Sequence, residues 1–313
     1  SLYNLLHWEA NRRHDQRFRD FRSKHLSLTD TTYQTLEQLV ATPPVFDAFI
    51  TGSDQVWRPS LLDRKIGHAF HLAFTSSGQS RRVAYAPSFG VDAVPAPYVE
   101  RIRQYLMGYD SLSVREKRGQ EIVFALTGRS AEHVLDPTLL LAAEDYASVV
   151  EPPALGPKGY LLVYPMELGR DMGFFRLVRQ IKKQTQLPLV CLLPLDFNFR
   201  WLRVADKVII DAGPREFLGW FKHATFVCTN SFHGTAFSIV FQKNFLGFPH
   251  STSNTRIFDL LEQVGLVHRQ ISDPVIEKIR EALTDPIDYQ TVATRLQGCC
   301  QRSLAYLQKA LQS

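Results

Sequence analysis

His233 lies in "TNSFHGTAF", a polar knot between two apolar runs of the 313-residue chain. The run before it, "ATFVCTN" (224–230), has the composition of a buried strand, and "TAFSIVFQ" behind it has helical spacing. A helix starting at this corner presents unpaired backbone N–H groups and the positive end of its dipole, which suits a phosphate or a carboxylate. Asn230 and Ser231 are residue types that cap such a helix, and Gly234 lets a ligand approach the backbone closely. His233 adds a proton donor that works near neutral pH. The same residues also fit an ordinary capped helix with a structural histidine.

Three further corners carry polar groups just after β-rich runs. Behind "VFDAFIT" (45–51) stand Gly52, Ser53, Asp54, Gln55 and Trp57: a permissive backbone, a hydroxyl, a carboxylate, an amide and an aromatic face, the groups that bind a sugar. Behind "SLSV" stand Arg115 and Glu116, where the arginine can clamp an oxyanion or simply form a surface ion pair. "STSNTRIFDLL" (251–261) offers Asn254 and Arg256 at the start of a helix, as a second anion clamp or as a common helix-start arginine. Asp136, in "VLDPT", reads as a turn or hinge residue.

The elements that must position these residues alternate. In the first half, β-rich runs at 45–51, 82–88, 111–116 and 133–136 are interleaved with helical patterns at 97–108 and 117–127. A Pro- and Gly-rich linker, "EPPALGPKG" (151–159), precedes a second series. Its β-rich runs are at 160–166, 187–195, 207–211, 224–230 and 244–248, and its helices at 170–185, 214–222, 234–242 and 255–264. Strands separated by helices predict α/β architecture with two doubly wound parallel sheets. In such sheets ligands bind beyond the carboxyl ends of the strands, where the four corners fall. The tail, about 273–311, reads as two helices, with Leu296, Leu304, Leu307 and Leu311 as a packing stripe.

Composition narrows the chemistry. A 45% hydrophobic, 21% charged chain with four cysteines lacking metal spacing is expected to be a soluble globular protein with reduced thiols. No apolar run reaches the roughly 18 residues of a membrane span. The expected location is cytoplasmic. The chain opens on Ser1, so the native beginning is expected to lie further upstream. Net charge is +5, with Arg12, Arg13, Arg17, Arg19, Arg22 and Lys24 concentrated near the start. That segment suits a membrane surface or a polyanion, or is a solvated helix face. No reading helix or stacking motif points to nucleic acid. Dinucleotide, P-loop, zinc-protease and serine-hydrolase motifs are absent, as is any D-x-D pair, which leaves metal-free chemistry on an anionic ligand.

Taken together, "FITGSDQVW", "SVREKRG", "VLDPTLLL", "GPREFLGWFKHATFVCTNSFHGTAFSIVFQKNF" and "SNTRIFDLL" resemble the polysaccharide pyruvyl transferase family, in the family's order over about residues 45–264. The resemblance implies a GT-B-like fold, two Rossmann-like domains facing a cleft. Residues 1–152 would form the acceptor side, 153–284 the phosphoenolpyruvate side, and 285–313 a helix packing back. It implies transfer of a pyruvyl group from phosphoenolpyruvate to two hydroxyls of a sugar or lipid-linked oligosaccharide, giving a cyclic ketal and phosphate, with no cofactor and no metal. His233 is then the general acid and phosphate ligand, and Asp54 holds or deprotonates an acceptor hydroxyl. Arg115, Arg256 and the helix N-terminus at His233 and Gly234 hold the anionic donor. Ser231 stands where many relatives carry an arginine, and the family's opening strand with its N-x-G loop is not found before Val45. Two other readings are a GT-B glycosyltransferase using a nucleotide sugar and a non-catalytic relative. Homo-oligomerisation and peripheral contact with the inner membrane face stay open.

Overall fold

The structure, a computed structural model, describes residues 2–75, 78, 80–153, 159–166, 172–193, 199–249, 255–271 and 276–312. The chain begins with the long helix α1 (Leu2–His25) and the short α2 (Leu36–Ala41). There follow β1 (Ala48–Thr51), β2 (Arg81–Ala84), α3 (Ala96–Met107), β3 (Ser113–Val114), α4 (Lys117–Thr127) and β4 (Glu132–His133). The second series runs β5 (Leu161–Tyr164), α5 (Met172–Thr185), β6 (Leu189–Leu192), α6 (Phe199–Leu202), β7 (Lys207–Ile209), α7 (Pro214–Lys222), β8 (Phe226–Thr229) and α8 (Phe232–Val240). It ends with β9 (Asn244–Gly247), α9 (Thr255–Val264), α10 (Ile276–Thr284) and α11 (Tyr289–Gln312).

The chain divides into two compact units, residues 1–28 with 141–292 and residues 29–140 with 293–313. These boundaries differ from the expected 152/153 and 284/285, for physical reasons. α1 joins the later unit because Arg13 and Arg17 pair with Asp211 and Glu216, about two hundred residues downstream. The end of α11 returns to the earlier strands through Ser303, whose Oγ accepts from Leu135 N, and Tyr306, whose hydroxyl donates to Ala84 O.

In the unit of residues 29–140 and 293–313, β1 pairs in parallel with β2, and β3 with β4. A bridge between Val83 and Ser111 joins the pairs. Ile102, Leu106, Ile122 and Val123, spaced by four and by one on α3 and α4, pack with Ala84 and Val114 from the strands. α4 stops at Gly128, whose φ of 69° is the left-handed conformation that ends a helix. In this unit α11 buries Cys299, Ser303 and Ala310; of the predicted leucine stripe Leu307 packs against Tyr85, Ala86 and Val134 and Leu296 is half-buried, while Leu304 and Leu311 are exposed.

The other unit holds a five-stranded parallel sheet in the order β7-β6-β5-β8-β9. The strands flanking central β5, namely β6 and β8, are buried throughout, as strands covered on both faces must be. Phe174, Leu177, Val178 and Ile181 recur on α5 at helical spacing and bury against Leu161, Val163, Leu189, Cys191 and Cys228. Chain order reverses between β5 and β8: β6 and β7 lie on one side of β5, and β8 and β9 on the other. This is the switch point of a doubly wound sheet, where the crevice beyond the strand ends opens.

Candidate active site

The His233 corner stands at that switch point. Tyr164, ending β5, is in register with Thr229, ending β8. Just beyond, Asn230 Oδ1 accepts from Met166 N at 2.7 Å and ties the two strand ends together. Its Nδ2 is buried with no hydrogen-bond partner among the described residues, an unfilled donor beside the start of α8. Ser231 caps α8 and accepts from Gly234 N through Oγ at 3.3 Å. Asn230 and Ser231 are buried, whereas His233, one residue into the helix, is half-buried, its ring edge-on to Phe232. The corner thus presents a helix N-terminus, a capped hydroxyl and one partly accessible imidazole.

Gly234 also has a steric reason. A Cβ there would lie 2.3 Å from Thr229 Oγ1 and 3.0 Å from Thr229 Cβ. Thr229 is itself held, donating to Tyr164 O at 2.7 Å and accepting from Ser231 N at 3.0 Å. Glycine lets α8 close onto β8, a packing requirement at this position.

In the other unit, the residues after all four parallel strands converge on Arg115. Its guanidinium donates to Asp136 Oδ2 at 2.7 Å and to Asp54 Oδ1 at 2.8 Å, and Glu116 Oε2 lies 3.7 Å from its Nε. Burial disfavours the cation, but Asp136, Asp54 and Glu116 more than offset this and raise its pKa above the ordinary arginine value. Asp136 also accepts from Ser53 Oγ and from Thr138 Oγ1, and Glu116 from Ser88 Oγ at 2.6 Å. Asp54 sits at the outer end of this network, its side chain 61% exposed against 1% for Arg115. Its φ of 64° is a conformation that aspartate tolerates better than most residues. Gly52 is required before it, since at φ 128° a Cβ would fall 1.8 Å from Tyr85 O.

Several expected residues take other positions. Trp57 is 0% exposed, packed among Phe89, Tyr109 and His71, so it plugs the core and offers no face to a sugar. Arg115 is enclosed by the carboxylates of Asp54, Glu116 and Asp136 and is not open to an outside anion. Ser53 and Gln55 are half-buried; Ser53 faces Asp136, and Gln55 Oε1 lies over Gly90, where a Cβ would be 2.3 Å away. Arg256 is half-buried in the first turn of α9. Asn254 lies outside the described residues. Asp136 is the turn residue its sequence suggests, its Oδ1 accepting from Thr138 N at 3.1 Å, and it is also a buried acceptor for three side chains. A common signal could have found it with Glu116 and Ser88: each follows a strand of one parallel sheet, and such ends gather at one edge. Among the described residues no group of three or more His, Cys, Asp or Glu could hold a metal ion.

Comparison with known proteins agrees with this architecture. The UDP-GlcNAc 2-epimerase from Methanocaldococcus jannaschii superposes with a TM-score of 0.52 at 12% identity, covering 88% of this chain and 83% of that one. The UDP-N-acetylglucosamine 2-epimerase from Rickettsia bellii gives a TM-score of 0.49 at 11% identity over 88% and 76% of the two chains. At 12% identity the likeness to the Methanocaldococcus jannaschii protein concerns the fold alone, α/β of the GT-B type with Rossmann-like parallel sheets. No curated protein matches the chain by sequence. A family model described as polysaccharide pyruvyl transferase matches residues 2–252, and this span includes both the Asp54 and the His233 corners. The chain is a transferase and belongs to the polysaccharide pyruvyl transferase family.

Proposed function

We propose that the protein transfers a pyruvyl group from phosphoenolpyruvate to two hydroxyls of a sugar in a surface-polysaccharide precursor. The observation that carries this reading is the His233 corner: a capped helix N-terminus at a sheet switch point, with a half-buried imidazole beside a buried, unfilled amide donor. Phosphoenolpyruvate brings a phosphate and a carboxylate, and the N–H groups of α8 with Arg256 supply positive charge for them. His233 protonates the methylene carbon, which becomes a methyl group and leaves the neighbouring carbon electrophilic. One sugar hydroxyl adds to that carbon and gives up its proton, phosphate leaves with the C–O bonding pair, and the second hydroxyl closes the ketal, its proton going to the departing phosphate. Asp54, projected into solvent by Arg115, receives or orients the acceptor hydroxyl proton. Positioning and charge stabilisation supply most of the rate.

The test is thermal stability with and without phosphoenolpyruvate, for this chain and for His233→Ala, because a ligand specific to the native state raises Tm. A rise in the parent that shrinks in the variant supports the assignment. A helix N-terminus and a flanking arginine would serve a nucleoside diphosphate equally well, so UDP is the rival ligand. A response to UDP alone moves the reading to glycosyl transfer, and no response to either leaves a non-catalytic relative.

A further inference from the structure

α1 sorts its arginines by face. Arg13 Nε donates to Asp211 Oδ2 at 2.7 Å, Arg17 Nη1 donates to Asp211 O at 2.6 Å, and Arg17 Nε pairs with Glu216 Oε1 at 2.8 Å. These two cations are neutralised against their own unit. Ala10, His14, Arg17, Phe21 and His25 mark the inward stripe, all buried or half-buried. On the opposite side Trp8, Arg12, Asp15, Arg19, Arg22 and Leu26 recur at alternating steps of four and three, and every one of them is exposed.

This outer stripe has a definite chemistry. Three arginines face one aspartate, and among the described residues no carboxylate pairs with Arg12, Arg19 or Arg22. The Arg12 guanidinium lies 5.7 Å from the centre of the Trp8 ring. Apolar groups stand at both ends: Trp8 is 58% exposed, Leu26 49% and Leu28 65%. From residue 8 to residue 26 the stripe is about 27 Å long at the usual helical rise.

We propose that this face of α1 binds the surface of an anionic lipid bilayer. The arginines meet lipid phosphates, while the indole and the leucines enter the boundary between headgroups and acyl chains. A second copy of the chain is a poor occupant, because the stripe laid against itself would oppose arginine to arginine. A nucleic acid would use the arginines but not the apolar ends. No described helix is long and apolar enough to cross a membrane, so the contact is with the surface. The inference does not depend on which donor the His233 corner binds.

The experiment is co-sedimentation of the full chain with vesicles of phosphatidylcholine alone and of phosphatidylcholine mixed with phosphatidylglycerol, read with tryptophan emission. Trp57, Trp201 and Trp220 are 0%, 4% and 5% exposed, so Trp8 is the tryptophan whose emission can shift to the blue on insertion. Binding should require the anionic lipid and fall about 100-fold in Arg12→Gln/Arg19→Gln/Arg22→Gln. Trp8→Phe should bind but lose the shift. A control that removes three other exposed arginines, Arg64→Gln/Arg101→Gln/Arg280→Gln, should bind like the parent. The proposal is overturned by binding to neither vesicle, by equal loss in both triple variants, or by binding of duplex DNA in preference to anionic vesicles.

Discussion

Arg115 Nη2 donates to Asp54 Oδ1 at 2.8 Å across 61 residues of chain, joining a side chain that is 1% exposed to one that is 61% exposed. The guanidinium is thus an internal strut, and the carboxylate is the exposed end it holds out. Such an arrangement separates stability from activity. Arg115→Gln leaves Asp136 and Glu116 buried without their cation, a mechanism that costs about 3–5 kcal/mol. Chemical denaturation should show a loss of that size.

Asp54→Asn makes the opposite prediction. Asparagine tolerates the left-handed backbone that Asp54 adopts at φ 64°, and an ion pair with one well-exposed partner contributes at most about 1 kcal/mol. Stability should therefore stay near that of the parent. Phosphate release from phosphoenolpyruvate with an acceptor should fall by about 10²–10⁴-fold, the loss expected for a removed general base. Stability and activity falling together would place Asp54 with the struts.

The contrast between these two residues shows what the sequence makes legible. Helices 117–127, 214–222 and 255–264 end where their patterns end, because local signals fix them: Gly128 stops α4, and Pro214 opens α7 with Glu216 accepting from Gly213 N. The corners after the strands are also local features. Their partners are not. Arg115 draws its carboxylates from positions 54, 116 and 136, and only the sheet order places them together. Trp57 follows a polar loop, a pattern that suits a sugar platform and a core plug equally; burial alone decides. Chain position alone places α1 in the first unit, but Asp211 and Glu216 hold it in the other.

Gly234→Ala tests whether the corner is built by packing. The added methyl would meet Thr229 Oγ1 at 2.3 Å, and Thr229 is tied to Tyr164 O and Ser231 N, so it has little room to yield. Overpacking of this kind costs about 1–3 kcal/mol. In a Thr229→Ala background the obstructing side chain is gone, and the same substitution should cost clearly less. Equal costs in the two backgrounds, measured as a double-mutant cycle, would show that the two residues do not constrain each other.

His71 gives the unit of residues 29–140 and 293–313 an acid limit. Its ring is 0% exposed and parallel to Trp57 at 6.0 Å and nearly so to Tyr105 at 4.9 Å. Burial above all, with help from His68 and Arg82, lowers its pKa from 6.5 to about 3. The sign follows from proton uptake. Between these values the unfolded chain binds a proton that the folded chain refuses, so stability is full above about pH 6.5 and is lost as pH falls toward about 3. One proton corresponds to a slope of about 1.4 kcal/mol per pH unit inside that window. His71→Phe keeps an aromatic ring between Trp57 and Tyr105 and removes the titration, so its stability should lose that much less per pH unit under acid. Parallel pH profiles for parent and variant, from denaturant melts across the window, would show that His71 carries no part of the acid limit.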